Sequence, residues 1–293
     1  MSTARAMSDL FEANARLTSK YVHACSRGHE AIQFAAGRLL REQDYLSAYY
    51  RDDCLLLSMG LTPEDLMLQL FAKREDPFSG GRTYYSHPSL NREGMPRIPH
   101  QSSATGMQAI PAAGVALGLQ YKERMEIPHD RPGAPPVVLC SIGDAAMTEG
   151  EVSEALHMAD LRKLPMIWLV QDNEWDISAH ASEIRSSDAS TLVKAFPNIR
   201  SFRVDGSDTE ACIAIMESAF HHAREVRGPV MVHADVPLLG HHTSGVRKEW
   251  YRHDLEEHAE RDPLPILINR LKSLGIEKKE LQRIREEVAA GVL

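Results

Sequence analysis

Val137-Val138-Leu139-Cys140-Ser141-Ile142-Gly143-Asp144-Ala145-Ala146 reads as a short β-forming run that stops at a Gly-Asp turn. An apolar run this short, entered through the Pro-rich stretch Arg131 to Pro136, suits a strand buried on both faces. From Gly150 onward, Val152, Ala155, Leu156 and Ala159 recur at i, i+3, i+4 and i+7, the face of a helix. Met166 to Val170 (MIWLV) forms a second buried run directly after Pro165, and Ile199 to Val204 is a third plausible strand. A helix with Cys212, Ile215, Met216 and Ala219 on one side precedes a fourth run, Val230 to Val236. Strand and helix in alternation predict an α/β fold: a parallel sheet with helices on both faces.

The rest of the chain frames that sheet. Before it, helices are expected near Ser8–Leu17, Glu30–Arg41 and Pro63–Ala72, then a loop from Glu75 to Pro99, long enough to suggest a functional role. Thr105 to Leu119 is expected to be helical and carries many small residues, which let another backbone approach or simply pack tightly. Pro263 to Leu293 reads as two charged amphipathic helices, so the chain divides into residues 1–262 and a helical tail, residues 263–293. The 293 residues are enough for a sizeable core. A net charge of −8 with no basic block argues against nucleic acid as a partner. No apolar run approaches the roughly 20 residues of a membrane helix, and the polar N-terminus lacks a signal-peptide pattern. Four scattered cysteines without a CxxC pair suit a reducing, cytoplasmic setting.

In open parallel sheets, ligands bind outside the carboxyl ends of the strands. Gly143-Asp144-Ala145-Ala146 follows the first buried run, and Gln171-Asp172-Asn173-Glu174-Trp175 follows the second. Asp144 and Asn173 would then project from neighbouring strand ends into one crevice. A carboxylate and an amide oxygen are hard ligands, suited to Mg²⁺ that also binds phosphate. Read singly, Gly-Asp is equally a helix-capping turn and Asp-Asn a loop.

Their spacing, with Ala146 to Gln171 between them, resembles the Gly-Asp-Gly…Asn-Asn fingerprint of thiamine-diphosphate enzymes. Further segments match in order. Gly28-His29-Glu30-Ala31, Tyr49-Tyr50-Arg51-Asp52, Ser102-Ser103 with Gln108 and Pro111, and Val204-Asp205-Gly206-Ser207-Asp208 each resemble segments of 2-oxo acid dehydrogenases. Gly240-His241-His242-Thr243-Ser244, with Tyr251-Arg252 beyond it, resembles the loop that closes over the cofactor. The chain is therefore similar to the alpha subunit, or alpha-like half, of a decarboxylating 2-oxo acid dehydrogenase component.

That resemblance implies the thiamine-diphosphate-binding fold and a set of roles. Asp144 and Asn173 would hold Mg²⁺ through their side chains and Trp175 through its carbonyl. Tyr50, Arg51 and His242 would hold the diphosphate, and Gln171 would approach it as a donor without charge. Ala145 and Ala146 would lie against the cofactor. Ser103 and Thr105 would approach the aminopyrimidine, which makes His242 and Ser103 the candidates nearest the chemistry. His87 and His100 bracket the long loop and could reach substrate. The segment Gly240 to Arg252 has little to bury and is expected to be ordered by phosphate contacts.

The implied reaction is oxidative decarboxylation of a 2-oxo acid, a branched-chain acid favoured over pyruvate, with transfer of the acyl group to a lipoyl-bearing acyltransferase. The proton-relay Glu would come from a beta subunit or beta-like half in a heterotetramer, so this chain alone would not turn over. The resemblance leaves open whether this is a whole subunit or the front of a fused chain. Ala145, Asp172 and Gln171 depart from the pattern, and Met107 stands where relatives have a potassium-site Thr. Those departures motivate the alternative of a non-catalytic homologue acting as an assembly partner. A nicotinamide-binding protein is disfavoured, because no GxGxxG follows the first strand.

Overall fold

The computed structural model describes residues 1–99 and 101–292. Among the described residues seven strands form: β1 (Tyr45–Ser47), β2 (Val138–Gly143), β3 (Met166–Asp172), β4 (Trp175–Asp176), β5 (Ala179–His180), β6 (Arg200–Asp205) and β7 (Val230–Asp235). Five of them make one sheet in the order β1-β2-β3-β7-β6, every neighbouring pair parallel. β4 and β5 pair separately as a small antiparallel ribbon beyond the end of β3. The α/β expectation holds, and the four expected runs become β2, β3, β6 and β7.

Alternation along β2 and β3 divides the core in two. Leu139, Ile167, Leu169, Val230 and Val232 point to the face covered by the N-terminal helices Ser2–Ala13, Glu30–Gly37 and Asp53–Ser58 and by Thr209–His221. Val138, Cys140, Ile142, Met166, Trp168 and Val170 point to the other face, under the helices Ala109–Arg124 and Gly150–Arg162. Both faces of these strands exclude water, which is why their sequences read as unbroken apolar runs instead of alternating ones.

Some expectations shift. β1 is a three-residue strand at the sheet edge with no sequence signal of its own. It is held by Asp44, whose carboxylate accepts the Val137 amide at 3.0 Å and the Arg224 guanidinium at 2.7 and 2.9 Å. The helix expected from Thr105 starts at Ala109, because Gly106 adopts a left-handed φ of 79° and interrupts it. The tail forms the helices Pro263–Ser273 and Lys278–Val292, the latter lying along Ser2–Ala13 with Val292 reaching the core.

Candidate cofactor site

The carboxyl ends of β2 and β3 lie side by side, with Gly143 opposite Gln171 in register. A Cβ at Gly143 would stand 3.2 Å from the Tyr49 ring, a tight contact that glycine avoids. After it the backbone turns into a short 3₁₀ helix, Ala145–Thr148, at ordinary negative φ, so an alanine at position 145 costs nothing. Asp144 and Ala145 line a narrow cleft with Tyr50, His87, Ser102, Ser103, Thr105, Ala146, Trp175 and His242. His100 lies outside the described residues. His87 reaches this cleft, with its Nδ1–H on the Tyr85 carbonyl at 2.9 Å and its pKa lowered by burial.

Asp144 is 2 % exposed, and its Oδ2 has no hydrogen-bond partner. Burial first, and the neighbouring Asp172 second, push its pKa well above the usual carboxylate range. Asp144 Oδ2 lies 3.4 Å from Arg185 Nη1, an ion pair longer than a hydrogen bond, and a buried carboxylate oxygen at a cleft that accepts no hydrogen bond is the chemistry a cation would satisfy. Asn173 is brought beside it by a tight turn. Its Oδ1 accepts the Trp175 amide at 3.1 Å, its Nδ2 donates to His29 Nε2 at 3.3 Å, and Glu174 takes a φ of 66° to make the bend. Strain of this kind in a non-glycine residue is tolerated where the surrounding bonds over-determine it.

The diphosphate-side residues also converge. Tyr50 Oη and His242 Nε2 share a hydrogen bond at 3.0 Å. Arg51 is completely buried, donating Nε to Tyr49 Oη at 3.1 Å and Nη2 to the His242 carbonyl at 3.1 Å, with its guanidinium over the Tyr50 ring. Burial, with Arg51 nearby, drives the His242 pKa down to about 2, so the ring is neutral and its Nδ1 has no partner. Ser103 and Thr105 stand exposed on the rim, and Gln108 braces that rim by donating to the Ser141 carbonyl at 3.0 Å.

Gln171 is placed differently from the other site residues. It points away from the cleft and is fully buried. Its Nε2 donates to Asp52 Oδ1 at 2.7 Å and Ser141 Oγ at 2.8 Å, while its Oε1 accepts from His29 Nδ1 and Gln33 Nε2, both at 2.8 Å. The whole amide is used inside the protein, leaving no donor for a phosphate.

Asp172 is engaged in the same inward sense. Burial raises its pKa, but bonds from His233 Nε2 at 2.9 Å and Arg185 Nη2 at 2.8 Å outweigh this and hold it below the usual range. Arg185 then leaves Nη1 at 3.4 Å from Asp144. The extra negative charge of an Asp at position 172 is thus met by a fixed cation. Neither Arg185 nor His233 carried a sequence signal, since each acts only through residues distant along the chain. Asp172, His233 and Asp235 could geometrically hold a metal, yet Arg185, Ser190 and Arg203 already occupy their polar atoms.

The dehydrogenase E1 component family matches residues 1–293, and the chain belongs to that family. It is 29% identical over 275 residues to the 2-oxoisovalerate dehydrogenase subunit alpha of Bacillus subtilis, covering 92% of this chain and 79% of that one. It is 30% identical over 252 residues to the 2-oxoisovalerate dehydrogenase subunit alpha 1, mitochondrial, of Arabidopsis thaliana, covering 86% and 50%. It is 31% identical over 272 residues to the pyruvate dehydrogenase E1 component subunit alpha of Mycoplasma pneumoniae, covering 90% and 69%. The chain therefore spans between half and about four-fifths of these relatives' lengths. The E1 family uses thiamine diphosphate, generally with a divalent metal. No helix among the described residues is long and apolar enough to cross a membrane.

Proposed function

We propose that this chain supplies the metal–diphosphate half of a thiamine-diphosphate site and works as the alpha-type subunit of a 2-oxo acid dehydrogenase E1 component. The observation that carries this is the buried Asp144 carboxylate, whose Oδ2 accepts no hydrogen bond and has Arg185 Nη1 at 3.4 Å, lining the same cleft as Tyr50 and His242, with Arg51 buried against both of them. The bound cofactor supplies the electron sink that lets a 2-oxo acid lose CO₂. Asp144, Asn173 and the Trp175 carbonyl hold Mg²⁺. Tyr50 and His242 contact the diphosphate, and Arg51 acts from behind them as a buried positive charge that orients both. Ala145 and Ala146 pack against the cofactor, Ser103 and Thr105 meet its aminopyrimidine, and Gln171 props the strand end from inside.

Among the described residues, the acids lining this cleft are Asp144 and Asp176, and none is a glutamate. With Asp144 committed to the metal, a proton-relay carboxyl has to come from elsewhere, in keeping with a beta subunit or beta-like half. Its docking face is the outer side of the helix Ala109–Arg124, where Ile110, Leu117 and Tyr121 stay exposed with Met107 and Met125 at the two ends. Apolar exposure on this scale suits a partner surface. A heterotetramer that passes its acyl group to a lipoyl-bearing acyltransferase in a multienzyme complex follows from the same reading. The four cysteines are all free, which fits a reducing cytoplasm.

A branched-chain 2-oxo acid is the favoured substrate, in line with the Gly240-His241-His242-Thr243-Ser244 segment and the named 2-oxoisovalerate relatives, with pyruvate next. Calorimetry of thiamine diphosphate with and without Mg²⁺, on the chain with a coexpressed beta-type subunit, tests the site. Binding should require Mg²⁺ and vanish in Asp144→Ala. Turnover of 2-oxoisovalerate against pyruvate with an artificial electron acceptor then tests substrate choice. Absence of binding would favour the non-catalytic homologue, a reading supported by Arg185 standing as a fixed cation beside Asp144.

A further inference from the structure

Behind the cleft wall lies a carboxylate that no role above uses. Asp254 follows the His242 segment, and its two oxygens face different parts of the site. Oδ2 accepts the indole N–H of Trp175 at 2.7 Å, and Oδ1 accepts Nε of Arg252 at 2.7 Å. The Arg252 guanidinium has no exposed side-chain surface and sits 5.5 Å over the Trp175 ring. Tyr251 stands against the same indole, ring centroids 5.3 Å apart.

The contact extends to the start of the segment. Arg252 Nη1 donates to the Leu238 carbonyl, and the Leu238 amide donates to His258 Nδ1 at 2.8 Å. Because His258 Nδ1 accepts, its proton is on Nε2, which points at Asp254 Oδ2 from 3.1 Å. Leu238 is thus held through both of its peptide groups, shortly before Gly240 and His242. Trp175, held by the same carboxylate, closes the turn at Asn173 by donating its amide to Asn173 Oδ1.

We propose that Asp254 is a positioning residue that locks the His242 segment to the Asn173–Trp175 turn, so that the two halves of the cleft are set as one unit. The identity of the ligand rests on the thiamine-diphosphate reading; the mechanical coupling does not. Buried partners of this kind, one step removed from the ligand, hold the contacting groups in register.

The test uses the full chain, with a coexpressed beta-type subunit, in a Trp250→Phe background. This removes the exposed indole and leaves Trp175 and the fully buried Trp168 as the chain's remaining tryptophans. Asp254→Ala, Asp254→Asn and Trp175→Phe are compared by acrylamide quenching, by hydrogen exchange of residues 173–176 and 238–252, and by titration with Mg²⁺ and thiamine diphosphate. Asp254→Ala should speed exchange in both segments together and open Trp175 to the quencher, while β2 and β3 exchange as before. Ligand affinity should fall by about 10–100-fold, the usual cost of losing such a partner. Asp254→Asn, which keeps an oxygen for the indole, should fall between, and Trp175→Phe, which removes the indole N–H together with part of the ring packed on Arg252 and Tyr251, should loosen residues 238–252.

Faster exchange in only one of the two segments, or affinity within about twofold of the parent in every variant, would overturn the proposal. Should Asp254→Ala fail to fold, Asp254→Asn and Trp175→Phe decide the question by the same two readouts. If the parent binds no thiamine diphosphate but the two segments still loosen together, the functional reading falls and the coupling stands.

Discussion

Replacing Asp144 by Asn should make the free chain more stable while abolishing the metal binding proposed for it. The carboxylate is 2 % exposed, has one oxygen that accepts no hydrogen bond and lies against Asp172. A buried acceptor left unsatisfied costs about 1–3 kcal/mol, and more when it is charged. Against this, the substitution loses the attraction of Arg185 at 3.4 Å, but Arg185 keeps its closer bond to Asp172 at 2.8 Å. An Asn is nearly isosteric and brings an N–H that can donate toward Asp172. The net expectation is a gain of about 1–2 kcal/mol at pH 7, or roughly 2–4 °C in Tm for a chain of this size. The order should reverse with Mg²⁺ and thiamine diphosphate at about 100 times Kd, where binding adds about 2.7 kcal/mol to the parent alone.

The pH dependence follows from the direction of the shift. Asp144 has a raised pKa in the folded state against 3.8 otherwise, so folding favours its protonated form. The penalty is absent below pH 3.8, grows as pH rises, and is complete above the folded-state pKa. The advantage of Asp144→Asn should therefore fade as pH is lowered toward about 4. Differential scanning calorimetry across pH, with and without ligand, makes the measurement. A free Asp144→Asn chain no more stable than the parent at pH 7 would refute the desolvation argument.

Gln171→Met should cost about 3 kcal/mol in urea unfolding, because it strips an acceptor from His29 and Gln33 and a donor from Asp52; normal stability with lost cofactor affinity would instead make Gln171 a ligand. Gly28→Ala should destabilise by more than about 3 kcal/mol or prevent folding, since φ is 102° and the new Cβ would lie 1.9 Å from the Pro237 carbonyl oxygen; wild-type-like yield and Tm would contradict this. Leu117→Glu, on the exposed side of the helix Ala109–Arg124, should change Tm by no more than a degree or two, within about 0.5 kcal/mol. Size-exclusion chromatography should show it failing to associate with a beta-type subunit, and unaltered association would place the interface elsewhere.

Local chemistry makes much of this protein readable from its sequence. The runs that became β2, β3 and β7 announce themselves because residues buried on both faces are apolar along most of their length, whereas β6, the exposed edge strand, carries a weaker signal. The turns after β2 and β3 are equally legible, since Gly143-Asp144 and Asp172-Asn173 are polar residues placed where apolar strands stop, and strand ends are where an open parallel sheet leaves a crevice. Tyr50, Arg51 and His242 are marked by ordered resemblance, and the fold brings them within hydrogen-bonding distance of one another.

Tertiary structure decided what no neighbouring residue could. β7 lies between β3 and β6 although it follows both in sequence, because strand order depends on which faces the connecting helices cover. The short β1 exists because Asp44 and Arg224, far apart in the chain, meet beside it. The direction in which Gln171 points, the pairing of Asp172 with Arg185 and His233, and the grip of Asp254 on Trp175 and Arg252 all rest on partners supplied by other elements. Periodicity reports the burial of a residue within its own helix or strand. The partner that satisfies a buried charge is set by packing, and packing is a property of the folded chain.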